Sequence, residues 1–373
     1  MIAGILQEPQ GENRVSLLPE QVEVLIKKNV QVVVEASAGN NASAFNDAYT
    51  SKGATIASRA EVLQSNLVLS INPLTDADMQ QVKEGTVLLG VYQPLFNFQQ
   101  VKNWADKNIS TFSLDMIPRT TRAQSMDVLS SQANIAGYKA VLLASTLLPR
   151  YFPMFMTAAG SIAPAKVLIL GAGVAGLQAI ATAKRLGAVV SAYDVRPASA
   201  DEVKSMGAKF ITLELEALEG AGGYAREMTE ERSNKQRELL TPYIAAADVL
   251  ITTAAVPGRT APRLVTAQMI SHMAAGSVVV DLAAESGGNV EGSVAGEIIT
   301  TATGVRIWGG KDVPSQLAFH ASMLFSRNVV NLLLLMSKTA DGKPTGVIEA
   351  DFSDEIIDSA TLTHAGSKRE KGK

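Results

Sequence analysis

Residues 165–195 read AKVLILGAGVAGLQAIATAKRLGAVVSAYDV. No other stretch of the chain restricts its folding so tightly. A β-rich apolar run leads into Gly171, Gly173 and Gly176. A helical stretch follows and stops at Gly187, and a second apolar run ends at Asp194, eighteen residues past Gly176. This order predicts strand, tight turn, helix and parallel strand, the opening unit of a doubly wound sheet. Gly171 permits the turn, Gly173 lets the backbone approach a pyrophosphate, and Gly176 lets helix and strand pack closely. The start of the helix offers free N–H groups and a positive dipole end to phosphates. Asp194 would accept hydrogen bonds from both hydroxyls of an adenine ribose. A carboxylate there repels a 2′-phosphate, which favours NAD(H) over NADP(H), while Arg196, two residues on, is a residue type that accommodates one. FAD binding, or a glycine turn that holds no nucleotide, are the other readings of the pattern.

The chain has 373 residues, 47% of them hydrophobic, and a net charge of −3. That length predicts two domains. No basic stripe suggests nucleic acid. There is no cysteine and there are only three histidines, His272, His320 and His364, so no metal site is expected. The first fifteen residues lack the plan of a secretory signal, and apolar runs such as VVNLLLLM (329–336) fall well short of the ~20 residues that span a bilayer. A soluble, cytoplasmic chain without membrane insertion is the expectation.

Residues 1–115 alternate apolar runs at 30–36, 66–71, 86–92 and 108–115 with helical stretches. A second series runs from 166 through 208–214, 247–254, 276–283 and 305–310. The expected architecture is α/β: two Rossmann-like, doubly wound parallel-sheet domains joined by long helices over 123–148 and 315–337. The boundaries read as 1–130, completed by a returning segment 325–373, and 131–324.

If the second domain holds NAD, the usual dehydrogenase partners for it are missing. A general base is most often His or Lys, yet no histidine precedes His272. His272 and His320 read as surface or structural residues. The stretch MIPRTTRAQSMDVLSSQANIAGYKA (116–140) instead gathers Arg119, Gln124 and Asp127 ahead of an apolar helical run. Taken alone, it is a helix N-terminal region with surface ion pairs.

Many motifs occurring in order, among them GAGVAGLQAIATAKRLGAVV, MGAKF, GGYAREM, ITTAAVPGRTAPRLVT, GSVVVDLAAESGGN and SMDVLSSQANIAGYKA, resemble the alanine dehydrogenase and nicotinamide nucleotide transhydrogenase superfamily from about residue 2 to about 350. Alanine dehydrogenases carry a catalytic Lys and a His where this chain has Ser70 and the Tyr92–Gln93–Pro94 run; Arg14 matches their carboxylate-binding Arg, which transhydrogenases share. PRTTRAQSMD is similar to the transhydrogenase loop whose Arg, Gln and Asp contact nicotinamide, which implies catalytic roles for Arg119, Gln124, Asp127 and Ser130. In that reading Arg119 pairs with Asp127. The resemblance also places Tyr138, Ala172, Val174, Val195, Arg196, Gly223, Tyr224, Gln236 and Ala255 among the NAD contacts, and makes 218–231 a mobile loop that closes over the nucleotide. It implies NAD(H) on this chain and NADP(H) on a partner subunit, a homodimer, membrane-spanning subunits on other polypeptides, and a peripheral place on the cytoplasmic face of an inner membrane. An alanine dehydrogenase-like oxidoreductase and a non-catalytic NAD-sensing module are the alternatives.

Overall fold

The computed structural model describes residues 1–214, 229–256 and 258–368. In chain order the first strands are β1 (Ile2–Ile5), β2 (Gln31–Glu35), β3 (Thr55–Ala57), β4 (Leu67–Leu69), β5 (Val87–Gly90) and β6 (Ser110–Ser113). A hairpin of β7 (Phe155–Thr157) and β8 (Gly160–Ile162) follows. The second series is β9 (Lys166–Leu170), β10 (Val189–Tyr193), β11 (Lys209–Phe210), β12 (Val249–Thr252), β13 (Val278–Asp281), β14 (Ile298–Thr300) and β15 (Arg306–Gly309). The last are β16 (Ser337–Ala340), β17 (Lys343–Ile348), β18 (Thr361–His364) and β19 (Ser367–Lys368). The chain forms two compact units, Met1–Gln132 with Ser315–Lys373, and Ala133–Pro314.

The first unit holds an eight-stranded sheet in the order β19-β18-β6-β5-β4-β1-β2-β3, parallel from β6 to β3. Side chains alternate across a strand. Leu67 and Leu69 therefore join the apolar cluster of Leu17, Val22, Tyr49, Phe325 and Leu333, while Val68 joins Val62, Leu88, Tyr92 and Trp104 on the opposite face. Burial on both faces is why these strands read as unbroken apolar runs. The antiparallel edge comes from the C-terminal segment, where β18 pairs with β6 and Thr363 bonds Thr111 at 2.8 Å.

The helix Ala318–Leu335 belongs to this unit by its hydrogen bonds as well as its apolar face. Ser315, Ser322 and Ser326 accept the backbone N–H groups of Asn13, Val15 and Leu18 at 2.7, 3.0 and 2.9 Å. The chain thus re-enters the first unit at Ser315, where the sequence reading puts the return at 325. The stretch Val313–Leu335 has a mean hydropathy of 1.2 and is long and apolar enough to cross a membrane by length and composition, more than the sequence reading allows. Its buried serines hold the loop before Pro19, as a core helix does.

The second unit is a seven-stranded sheet, β11-β10-β9-β12-β13-β15-β14, parallel except for β14 at one edge. Val167 and Ile169 face one apolar cluster and Leu168 and Leu170 the other. The chain leaves β9 for β10 on one side and later returns to β12 on the other. The carboxyl ends of β9 and β12 therefore flank the topological switch point, where open α/β sheets bind ligands.

Candidate functional site

The glycine turn follows β9. Gly171 has φ +99°, which glycine adopts without strain, and its N–H donates to the Tyr193 carbonyl at 2.9 Å. A methyl group on Gly176 would overlap the Gly171 carbonyl, so only glycine lets the helix Val174–Arg185 sit this close to the turn. At Gly173 an added Cβ would meet nothing within 4 Å. The N-cap of that helix is Gly173, which has no side chain to cap it, so among the described residues its first N–H groups are open to an anion. The helix ends at Arg185, and Gly187, φ +87°, lies just past its C-cap Leu186, where the sequence marks the stop. The uncapped helix start, the open position at Gly173 and the nearby Asp194 fit a dinucleotide.

Asp194 stands just past β10. Its carboxylate accepts Ala172 N–H at 2.7 Å and Arg196 N–H at 2.9 Å, and it is gripped by Arg196 Nε and Nη2, each at 2.9 Å. Burial pushes its pKa up, but the Arg196 bonds and the Ala172 N–H outweigh this and hold it below the ordinary 3.8. Arg196 thus neutralises the carboxylate that the sequence reading takes to exclude a 2′-phosphate. Val174 and Ala255 are exposed, Val195 is half-buried, and Gln236 is 2% exposed, lying against the Tyr193 phenol. Gly223, Tyr224 and most of the 218–231 loop lie outside the described residues.

In the first unit, Thr121–Met126 is a 3₁₀ turn and the long helix starts at Val128, later than the expected 123. Asp127 explains the shift. It accepts Ser130 N–H at 2.9 Å and Ser130 Oγ–H at 2.6 Å, an N-cap that begins the helix after itself. Ala123 and Met126 are buried, and Asn328 and Asn331 hold the Ser125 carbonyl at 2.8 and 2.9 Å, leaving Arg119 and Gln124 exposed. Tyr138, in the second unit, is 39% exposed, one residue past Gly137, whose missing side chain lets the helix pack on the Ala175 carbonyl.

The positions of the dehydrogenase Lys and His contain no base. Ser70 donates to the Asn72 carbonyl at 2.7 Å. Tyr92 is fully buried, edge-on to Trp104 at 5.0 Å, and burial pushes its phenol well up. All three histidines are exposed. The sequence reading misses Glu8, which faces a cavity of about 410 Å³ in the first unit. Burial raises its pKa from 4.5 to about 7, against the pull of bonds from Ile71 N–H and from Asn72 N–H and Nδ2–H. In the same cavity Arg14 is occupied by Glu12, with bonds of 2.9 and 2.6 Å.

Glu8 has a stability signature. Its folded pKa lies above the unfolded one, so the folded state holds a proton that the unfolded chain releases. The stabilisation is complete below about pH 4.5 and is lost as pH rises through about 7. Urea midpoints at pH 5 and pH 8 should show the parent losing on the order of 2–3 kcal/mol more than Glu8→Gln. Parallel pH profiles for the two proteins would show that Glu8 titrates normally.

Family models for the alanine dehydrogenase/PNT N-terminal and C-terminal domains match residues 4–136 and 140–371. The chain is 44% identical over 367 residues to the first part of NAD(P) transhydrogenase subunit alpha of Rhodospirillum rubrum, covering 96% of this chain and 94% of that one. A crystal structure of transhydrogenase from Sinorhizobium meliloti superposes with a TM-score of 0.89 at 41% identity, over 99% of this chain and 100% of that one. Alanine dehydrogenase of Bacillus subtilis is more distant, 27% identical over 296 residues, 78% of this chain and 72% of that protein. On these matches and the two-unit α/β fold, the chain belongs to the alanine dehydrogenase/PNT family.

Proposed function

We propose that this chain is the NAD(H)-binding subunit of a proton-translocating NAD(P) transhydrogenase, passing hydride between NADH and NADP⁺ held on a partner subunit. One observation carries the reading. A dinucleotide turn with an uncapped helix and an ionised Asp194 occurs in a chain whose dehydrogenase base positions hold Ser70 and a buried Tyr92. Bound NADH supplies the hydride, from C4 of its nicotinamide. Transfer between two nicotinamides moves no proton at the reacting carbons, so it needs contact and exclusion of water rather than a base.

In this reading the glycine turn and the helix start bind the pyrophosphate, and Asp194 takes the ribose hydroxyls. Asp127 and Ser130 hold the carboxamide. Their mutual bond at 2.6 Å supports this role, since it spends the Ser130 hydroxyl proton on Asp127 and leaves acceptor lone pairs on both residues for the carboxamide N–H groups. Arg119 and Gln124 are exposed, as groups that meet a second nucleotide must be. Gln124 offers both donors and acceptors without charge. Tyr138, Gly223, Tyr224, Gln236 and Ala255 complete the proposed nucleotide contacts.

The proposal includes a homodimer. The β7–β8 hairpin exposes Phe155, Met156 (76%) and Ile162, Met154 just before it is exposed too, and no charged residue lies between Arg150 and Lys166. A two-stranded hairpin of this kind is marginal alone in water, and an uncharged apolar surface suits a permanent partner. NADP(H) and the membrane-spanning portion are assigned to partner subunits, in keeping with a relative whose name makes it one portion of a divided alpha subunit. The subunit would then sit on the cytoplasmic side of that membrane assembly.

Mixing the chain and NADH with an NADP⁺-loaded partner domain should give rapid hydride exchange, whereas NAD⁺ with L-alanine should give no NADH absorbance. Steady turnover of alanine would establish the dehydrogenase instead. NADH binding without exchange would make the chain a sensing module.

A further inference from the structure

We propose that Asn289 is a positioning residue for the nicotinamide half of the cofactor, acting through the peptide at Ala254. The inference rests on the NAD(H) reading above. Asn289 is fully buried, yet it lies on neither strand nor helix. Its Oδ1 accepts Ala254 N–H at 3.0 Å, and its Nδ2 donates to the Ala254 carbonyl at 2.7 Å and to the Pro262 carbonyl at 2.8 Å. One short side chain thus grips both polar groups of residue 254 and uses both of its amide hydrogens. Aspartate has no donor for two carbonyls, and alanine leaves all three backbone groups without this partner.

Asn289 is itself fixed. Its carbonyl accepts Leu264 N–H at 2.9 Å and Val265 N–H at 3.0 Å. The next N–H, at Val290, is held by Asp281 at 3.1 Å, and the same buried carboxylate accepts Thr252 Oγ–H at 3.1 Å and Ala283 N–H at 3.0 Å. These bonds tie the carboxyl ends of β12 and β13 into one polar floor.

The floor bears on the glycine turn. Thr253, next to Ala254, donates its Oγ–H to the Gly171 carbonyl at 3.0 Å, and its N–H donates to the Leu170 carbonyl at 2.9 Å. Thr253 Oγ1 is also 2.6 Å from where a Cβ on Gly171 would stand. Thr253 and Ala254 are therefore seated against the turn, with Asn289 behind them. Asp194 follows β10 on one side of β9, and Ala254 follows β12 on the other. In a doubly wound sheet those sides receive the two halves of a dinucleotide. Asp194 answers for the adenine ribose, which leaves the nicotinamide half to the surface that Asn289 holds.

The test compares NADH with ADP, which lacks the nicotinamide half, by titrating the full chain. Asn289→Ala and Asn289→Asp should each weaken NADH binding about tenfold or more and leave ADP within about twofold of the parent, a loss of the order of one well-made hydrogen bond or more. Circular dichroism establishes that each variant is folded. Asn289→Asp adds a readout that general loosening would not move. Its acid form can accept Ala254 N–H and donate to one carbonyl, so its NADH affinity should recover as pH falls from 8 to 5.5 while ADP binding stays flat. A folded variant that binds NADH as the parent does, or that loses NADH and ADP equally, overturns the assignment. A parent that binds neither nucleotide overturns the NAD(H) reading instead.

Discussion

Asp194→Ala should lower the affinity for NADH about a hundredfold and remove most of the preference for NADH over NADPH. Two ribose hydroxyls donating to a carboxylate are charge-assisted bonds worth about 1.5–3 kcal/mol each. Replacement by water recovers a share of that, leaving a loss of about 3 kcal/mol, or two decades in affinity. The larger change is in charge. Arg196 now grips Asp194 through Nε and Nη2 and neutralises it. Without the carboxylate, a guanidinium remains at the ribose end of the turn, a donor set suited to a 2′-phosphate. NADPH affinity should therefore rise in the same variant that loses NADH. Fluorescence titration with both nucleotides reads the two effects together. NADH affinity equal to the parent's would remove the ribose contact. A fall in NADH without a rise in NADPH would show that Arg196 is held elsewhere once released.

The residue that discriminates cofactors was legible in the sequence because the βαβ unit fixes its place. A strand, three glycines, a helix of known length and a second strand leave little freedom for residue 194. Most of the parallel strands were legible for a related reason: burial on both faces makes them continuous apolar runs, whereas β3 is three residues long, exposed or half-buried throughout, and leaves no such run. The antiparallel edges were not. β18 reaches β6 from some 250 residues away, and β14 is a three-residue strand with exposed ends, so neither leaves a local pattern. β1 is short and runs straight into a polar loop.

Side-chain roles divided in the same way. Asp127 has a sequence signature as a helix cap and the same signature as a ligand, because both need a carboxylate beside free N–H groups; the structure shows the cap. Arg196 was visible beside Asp194 in the sequence, but its two-point grip on that carboxylate is a matter of rotamer. Glu8 and Asn289 gave no warning, since their importance comes from burial against loops distant in sequence, Ile71–Asn72 and Ala254–Pro262.

Gly176→Ala should destabilise the chain by about 3 kcal/mol or more and abolish NADH binding, while Gly173→Ala should fold like the parent and still fail to bind tightly. The difference lies in what a methyl group meets. At Gly176 it collides with the Gly171 carbonyl oxygen and lies 2.9 Å from the carbonyl carbon, with Thr253 Oγ1 at 3.3 Å behind it. Two of those atoms are backbone in a turn whose φ of +99° is already special, so neither can step aside as a side chain would. The helix must lift from the strand, opening packing at Ala179 and Ile180, both fully buried, and overpacking of this sort carries a cost of about 1–3 kcal/mol before the turn itself distorts. At Gly173 the backbone is φ −77°, which alanine adopts freely, and the methyl would point into open space. That space is where the pyrophosphate is expected to approach the helix start, so the same methyl is harmless to folding and obstructive to the ligand. Denaturant midpoints and NADH titrations on the two variants separate the roles. Parent-like stability for Gly176→Ala would contradict the geometry of the turn, and parent-like affinity for Gly173→Ala would place the phosphates elsewhere.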